Sequence, residues 1–178
     1  MKKNIIISGF GGQGIVLAGR LLCEAAILEA KNVTLFPSYG VEMRGGTANC
    51  QIIISDNYIG APMVYNPDIL LCCNRLSFHR FFPKLTQGGD VIVNSSLYDP
   101  DNDNVNKVPA NKIAEELGNK LVANMVMLGT FCFVSKIVTL DSLKKVLTEA
   151  LSRNKRASVD INIEALQKGY DYLSLNSC

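Results

Sequence analysis

The stretch NIIISGFGGQGIVLAGRLL, residues 4–22, decides the fold. Asn4–Ser8 is short, apolar and rich in β-branched residues, and it runs into glycine, as a buried parallel strand does. After the glycines, Ile15–Ala30 carries strong helix formers, with Arg20 and Glu24 four apart on one face. Asn32–Phe36 (NVTLF) then predicts a second strand. The sum is a β–α–β unit with a right-handed crossover, the start of a Rossmann-like sheet.

Working outward, Thr47–Ser55 (TANCQIIIS) predicts a strand, Asp56–Asn57 a tight turn and Tyr58–Gly60 a short return, together an inserted antiparallel hairpin. Ile69–Cys73 and Asp90–Asn94 predict further buried strands. Leu76–Leu85 predicts a helix broken near Pro83, and Lys107–Val108 a short edge strand after a polar stretch. Helices are predicted over Ala110–Leu117, Val122–Lys136, Leu140–Arg153 and Ile161–Leu173. Thr139 or Asp141 caps the third of these, and Asp160 the fourth. The expected fold is α/β, a Rossmann-like, mostly parallel sheet with an inserted antiparallel hairpin and helices on both faces. It forms one domain over residues 1–178, a length suited to a single core.

Apolar residues make up 48% of the chain and charged residues 19%, the latter below the roughly 25% usual for soluble domains. Such a chain has a well-covered interior or hides surface against a partner. The net charge is +2 with its cations scattered, which gives no nucleic-acid footprint. The first apolar run is too short for a signal peptide. Met125–Val134 falls short of the ~20 residues that span a bilayer. The expectation is therefore a soluble protein with no membrane or nucleic-acid partner. The six cysteines (Cys23, Cys50, Cys72, Cys73, Cys132 and Cys178) form no CxxC pair. They read as small hydrophobes with reduced thiols, which suits the cytoplasm.

Gly9-Phe10-Gly11-Gly12-Gln13-Gly14 fits G-x-G-x-x-G and stands where phosphate binding requires it, after a strand and opening a helix. A P-loop would need Lys and then Ser or Thr next, but Ile15 and Val16 stand there. A dinucleotide site would need a carboxylate at the end of the second strand, yet the chain continues Leu35-Phe36-Pro37-Ser38. A glycine turn kept only for close helix–strand packing fits the same residues. The second glycine segment, PSYGVEMRGG over residues 37–46, offers Ser38, Tyr39, Glu42 and Arg44 beside the first. Arg44 suits a bidentate clamp on phosphate or carboxylate. An ion pair of Glu42 with Arg44 bracing the loop suits it equally.

With both glycine segments in view, the chain resembles the gamma subunits of the 2-oxoacid:ferredoxin oxidoreductases. The likeness continues through Ala61-Pro62, Pro67-Asp68, Gly88-Gly89, Asn94-Ser95-Ser96 and Ala123-Asn124-Met125-Val126-Met127-Leu128-Gly129, covering nearly the whole chain. The resemblance implies an enzyme complex that converts a 2-oxoacid, coenzyme A and oxidised ferredoxin to acyl-coenzyme A, CO2 and reduced ferredoxin. It places thiamine diphosphate in alpha and beta subunits and iron–sulfur clusters in partner chains, among them a ferredoxin-like delta subunit, with ferredoxin reached indirectly. The gamma subunit would cover the active site and contact coenzyme A. Gly11, Gly12, Gln13, Gly14, Tyr39, Gly40, Glu42, Arg44, Gly45 and Gly46 carry over as cofactor-binding residues. No catalytic residue and no metal ligand is expected in this chain, since cluster spacing and an acid–base carboxylate pair are both missing. The small subunit of an indolepyruvate enzyme, a free-standing nucleotide-binding module and a purely structural cap are the competing readings.

Three other features read as structural. His79 lies among Phe78, Phe81 and Phe82 with no motif around it, and suits a surface or interface position. Asp99, Asp101 and Asp103 alternate as in a calcium loop but lack its glycine and closing glutamate, so a solvated turn is expected. Phe131–Phe133 suits the core or a buried interface.

Overall fold

The computed structural model describes residues 1–39, 46–151 and 156–176, the side chains of 156–158 and 176 excepted. Among the described residues six strands form one sheet: β1 (Lys2–Phe10), β2 (Asn32–Tyr39), β3 (Thr47–Ser55), β4 (Ile69–Cys72), β5 (Asp90–Asn94) and β6 (Asn106–Val108). Their order across the sheet is β2-β3-β1-β4-β5-β6. β1, β4, β5 and β6 pair in parallel, and β3 runs antiparallel to both β1 and β2. The sheet is thus mixed, with β3 alone opposed to the rest.

β3 lies between β2 and β1, the two strands of the β–α–β unit. One expectation changes here: the antiparallel element is not a hairpin closing over Asp56–Asn57. β3 pairs along its whole length with β1, from Phe10↔Thr47 to Lys2↔Ser55, and with β2, from Tyr39↔Ala48 to Asn32↔Ser55. With both edges of β3 occupied, a return over Tyr58–Gly60 has no strand to pair with. That segment is irregular and leaves Tyr58 91% exposed.

The helices are α1 (Ile15–Leu28), α2 (Arg75–Phe81), α3 (Ala110–Glu116), α4 (Ala123–Ser135), α5 (Leu140–Leu151) and α6 (Arg156–Asn176). α1 stops short of the expected Ala30, which takes a left-handed φ of 59°, and α4 stops before Lys136, with φ 52°. α2 gives way to a 3-10 turn over Phe82–Lys84, where Pro83 has no N–H to continue the helix. Thr139 Oγ1 accepts the Ser142 N–H (3.2 Å) and caps α5. Asp160 does not cap α6, since that helix starts four residues earlier.

Strand side chains alternate between two cores. Ile5 and Ile7 of β1, Ile52 and Ile54 of β3, and Leu71 of β4 face α1, α4, α5 and α6. Ile6, Ile53, Leu70 and Val93 face α2 and the segment carrying Ile59 and Val64. Central strands buried on both faces explain the unbroken apolar runs in the sequence. In the larger core α4 and α6 pack backbone to backbone. A Cβ on Gly129 would lie 1.9 Å from Leu166 O, and one on Gly169 1.9 Å from Val126 O. Thr130 Oγ1 donates across the same seam to Gly169 O (2.9 Å). Phe131 is fully buried beside it, as expected of core.

Candidate functional site

The chain leaves β1 for α1 on one face of the sheet and leaves β4 for α2 on the other. The carboxyl ends of neighbouring β1 and β4 therefore flank a topological switch point, where open α/β sheets leave a crevice for ligands. The glycine loop fills that position. Gly12 (φ 94°) and Gly14 (φ 70°) are left-handed, a conformation that glycine adopts without a Cβ penalty. Gly14 occupies the N-cap of α1, which has no side-chain cap and no acidic residue in its first turn. The first-turn N–H groups of α1 have no partner within the helix. They carry the positive end of the helix dipole. A Cβ on Gly12 would meet nothing within 4 Å, so this part of the loop faces open space.

Gln13 turns back over the loop. Its Oε1 accepts the Phe10 N–H (2.7 Å) and the Asn74 Nδ2–H (3.3 Å). Asn74 Oδ1 in turn accepts the Ser77 N–H (2.9 Å) and caps α2. Ser8 Oγ donates to Ser77 Oγ (3.0 Å) beneath them. This amide and hydroxyl chain ties the glycine loop on β1 to the start of α2 on the opposite face.

The two glycine segments meet as expected at their described ends. The Gly11 N–H donates to Gly46 O (2.9 Å). The pairs Phe10↔Thr47 and Tyr39↔Ala48 bring the ends of β1 and β2 to one edge. Gly11, Gly12, Gln13, Gly14, Tyr39 and Gly46 are thereby gathered at one edge of the sheet. Gly40, Glu42, Arg44 and Gly45 lie outside the described residues. Tyr39 is 65% exposed and borders a cavity of about 310 Å³ with Phe10, Gly12, Ile15 and Leu17.

A second cavity, of about 90 Å³, opens on the other side of the loop, between Gly12 and Gln13 and the N-terminus of α4. Its wall is amide-rich, with Asn94 at the end of β5, Asn111 in α3 and Asn124 in α4. Asn94 Nδ2 donates to Asn111 Oδ1 (2.7 Å), and Asn124 Nδ2 reaches Gly14 O (3.5 Å). Lys120, at its rim, pairs with Glu115 (3.2 Å). Asn74, Asn111 and Asn124 were not singled out from the sequence as site residues. An amide at the end of a buried strand (Asn94) or just after one (Asn74) is the local signal that marks this edge.

The remaining groups behave as core or scaffold. The five described cysteines are free and buried. Burial pushes the Cys50 thiol up to about 11, and those of Cys23, Cys73 and Cys132 up to about 12. Among the described residues no cluster of His, Cys, Asp or Glu could hold a metal. Asp99 pairs with Lys107 (2.8 Å), and Asn102 Oδ1 accepts the Asn104 N–H (2.9 Å) in an ordinary polar turn. His79 is exposed and packs on Phe78 and Tyr98. No helix among the described residues is long and apolar enough to cross a membrane.

Comparison with known proteins gives a consistent picture. The chain is 36% identical to the 2-oxoglutarate synthase subunit KorC of Methanocaldococcus jannaschii, over 96% of this chain and 94% of that one. It superposes with a TM-score of 0.80 on the keto/oxoacid ferredoxin oxidoreductase gamma subunit of Geobacter sulfurreducens. That chain is 31% identical, and 97% of this chain and 99% of that one are covered. The fold also matches part of the 2-oxoglutarate:ferredoxin oxidoreductase of Magnetococcus marinus, solved with 2-oxoglutarate, coenzyme A and succinyl-CoA bound. There the TM-score is 0.89 at 22% identity, over 98% of this chain and 31% of that one. Residues 4–172 match the family model described as pyruvate ferredoxin/flavodoxin oxidoreductase. The glycine-lined sheet edge is thus part of a fold shared along nearly the whole chain, which belongs to the pyruvate ferredoxin/flavodoxin oxidoreductase family.

Proposed function

We propose that this chain is the gamma subunit of a 2-oxoacid:ferredoxin oxidoreductase and that its glycine-lined edge holds a phosphate-bearing part of coenzyme A. The complex would convert a 2-oxoacid, coenzyme A and oxidised ferredoxin to acyl-coenzyme A, CO2 and reduced ferredoxin. Thiamine diphosphate and the iron–sulfur clusters belong in this reading to alpha, beta and ferredoxin-like delta partners, where they supply decarboxylation and electron transfer. The supporting observation is the open loop at Gly12, set against the uncapped N-terminus of α1 at the switch point. Free backbone N–H groups and a helix dipole suit an anionic phosphate.

The roles of this chain's residues are binding and positioning. Gly11, Gly12 and Gly14 let phosphate oxygens approach the backbone. Gln13 shapes the loop: its N–H goes to Phe10 O (3.1 Å) and its side chain to Phe10 and Asn74, which holds the neighbouring glycines in place. Tyr39 offers a ring and a hydroxyl on the α1 side. Gly40, Glu42, Arg44, Gly45 and Gly46 complete the cradle in this proposal, with Arg44 as the cation. Coenzyme A fits this chemistry through its pyrophosphate and 3′-phosphate. No group of this chain is assigned a covalent or acid–base step.

The test is to produce the chain together with the subunits encoded beside it, and to follow reduction of ferredoxin or a viologen dye. Reduction that requires a 2-oxoacid, coenzyme A and this chain is the expected result. Full coenzyme-A-dependent activity of a complex lacking the chain would refute the proposal.

A further inference from the structure

Arg80 is a cation that the structure brings to this edge and that no sequence motif marks. It lies in α2, on the face of the sheet opposite α1. Its Nη1 donates to Thr47 Oγ1 (3.4 Å), and Thr47 pairs directly with Phe10, the last residue of β1. Facing residues in an antiparallel pair have Cα atoms about 4.5–5.5 Å apart. The guanidinium is therefore held on the residue that faces the start of the glycine loop across the sheet. The next residue, Gly46, already accepts the Gly11 N–H.

The way Arg80 is held matters as much as where it lies. Its guanidinium sits 5.3 Å from the centroid of the Phe81 ring, and the side chain is exposed. Among the described residues no carboxylate pairs with it; the ion pairs present involve Met1, Arg20, Lys31, Lys107 and Lys120. A ring face and one hydroxyl orient the group but, among the described residues, leave its charge uncompensated and most of its five N–H donors open. A guanidinium of this kind is a planar fork suited to phosphate oxygens. A ligand crossing the sheet edge would meet the α1 amides from one face and Arg80 from the other.

We infer that Arg80 is a phosphate-binding residue for coenzyme A, closing the glycine-loop site from the α2 side. This rests on the proposed function and adds a binding residue to it. Arg80 contributes affinity for one phosphate of the nucleotide end and takes no part in the chemistry. Lys84 serves as the internal control, because its ammonium lies over the same Phe81 ring at 6.0 Å while the residue belongs to the 3-10 turn that follows α2.

The test uses the complete purified complex and calorimetric titration with coenzyme A and with 3′-dephospho-coenzyme A. Arg80→Ala should weaken coenzyme A binding about tenfold, the loss expected for a charge-assisted pair. Arg80→Lys should recover part of it, and Lys84→Ala should stay within about twofold of the parent. Selective loss toward coenzyme A assigns the 3′-phosphate, and equal loss toward both compounds assigns the pyrophosphate. Unchanged binding in Arg80→Ala overturns the inference, as does an equal loss in Lys84→Ala, which would signal only a general field. Weakened subunit association with unchanged affinity also overturns it, and makes Arg80 an interface residue. If Gly12→Leu abolishes binding while Arg80→Ala does not, Arg80 alone is wrong. Failure of the parent complex to bind coenzyme A overturns both proposals.

Discussion

Gly14 and Asn124, 110 residues apart, meet so closely that a Cβ on Gly14 would lie 2.1 Å from Asn124 Nδ2. The N-cap of α1 is thereby pressed against the first turn of α4. Gly14 also has a φ of 70°, which costs an L-residue about 1 kcal/mol or more. Gly14→Ala is expected to destabilise the protein by roughly 2 kcal/mol. Asn124→Ala in the same chain should recover the part due to the clash but not the part due to φ. A double-mutant cycle by urea unfolding checks this, and strict additivity would show that the contact does not matter.

The seam between α4 and α6 has less room to adjust. The atoms facing Gly129 and Gly169 are backbone carbonyls, which cannot swing away as a side chain does. Gly129→Ala or Gly169→Ala should each cost at least about 2 kcal/mol and lower Tm by several degrees. Thermal unfolding measures it, and a Tm within one degree or so of the parent would refute backbone contact.

Much of this was legible in the sequence, and the exceptions have physical reasons. β1, β4 and β5 are central strands buried on both faces, so their apolar runs mark them directly. The position of β3 between β1 and β2 was not legible, because strand order depends on nonlocal pairing that no local pattern encodes. Gly129 reads only as one glycine in a helix, since its partner Gly169 is 40 residues away. The glycine loop at Gly11–Gly14 was legible because turn chemistry is local. Arg80 was not, because only the fold carries its side chain from α2 to Thr47 on β3.

Glu29 links the end of α1 to the start of α5 and should give a specific pH dependence. Burial alone would raise its carboxyl, but bonds from Lys31 Nζ (2.7 Å), the Thr139 N–H (2.7 Å) and the Thr139 hydroxyl (2.9 Å) outweigh it. The carboxyl is held down at about 2, against an ordinary value of 4.5. A lowered folded value adds stability that is present above the unfolded value and lost as pH falls through the folded one. Glu29→Gln should therefore cost about 1 kcal/mol at pH 7, allowing for solvent screening. The difference from the parent should shrink as pH falls from 4.5 toward 2. Unfolding followed against pH checks the sign, and a gap that widens toward acid would contradict it.

Cysteine chemistry offers an independent check on the core. With thiols pushed up to about 11 or 12 by burial, the thiolate fraction at pH 8 is negligible. Cys23, Cys50, Cys72, Cys73 and Cys132 should resist iodoacetamide in the native protein and react once it is unfolded. Mass mapping of the labelled sites decides, and rapid native labelling of Cys73 would mean that the cavity beside Gln13 is open to reagents.

The most direct measurement concerns Gly12, where a side chain would meet open space; its φ of 94° strains any L-residue there, so Gly12→Ala, equally strained but without bulk, is the control for loop distortion. Coenzyme A is titrated calorimetrically into the complete complex carrying parent chain or Gly12→Leu, with subunit content and Tm measured alongside. The expected result is an intact complex whose affinity for coenzyme A falls at least about tenfold. An intact Gly12→Leu complex that binds coenzyme A as tightly as the parent would contradict a phosphate site at this loop.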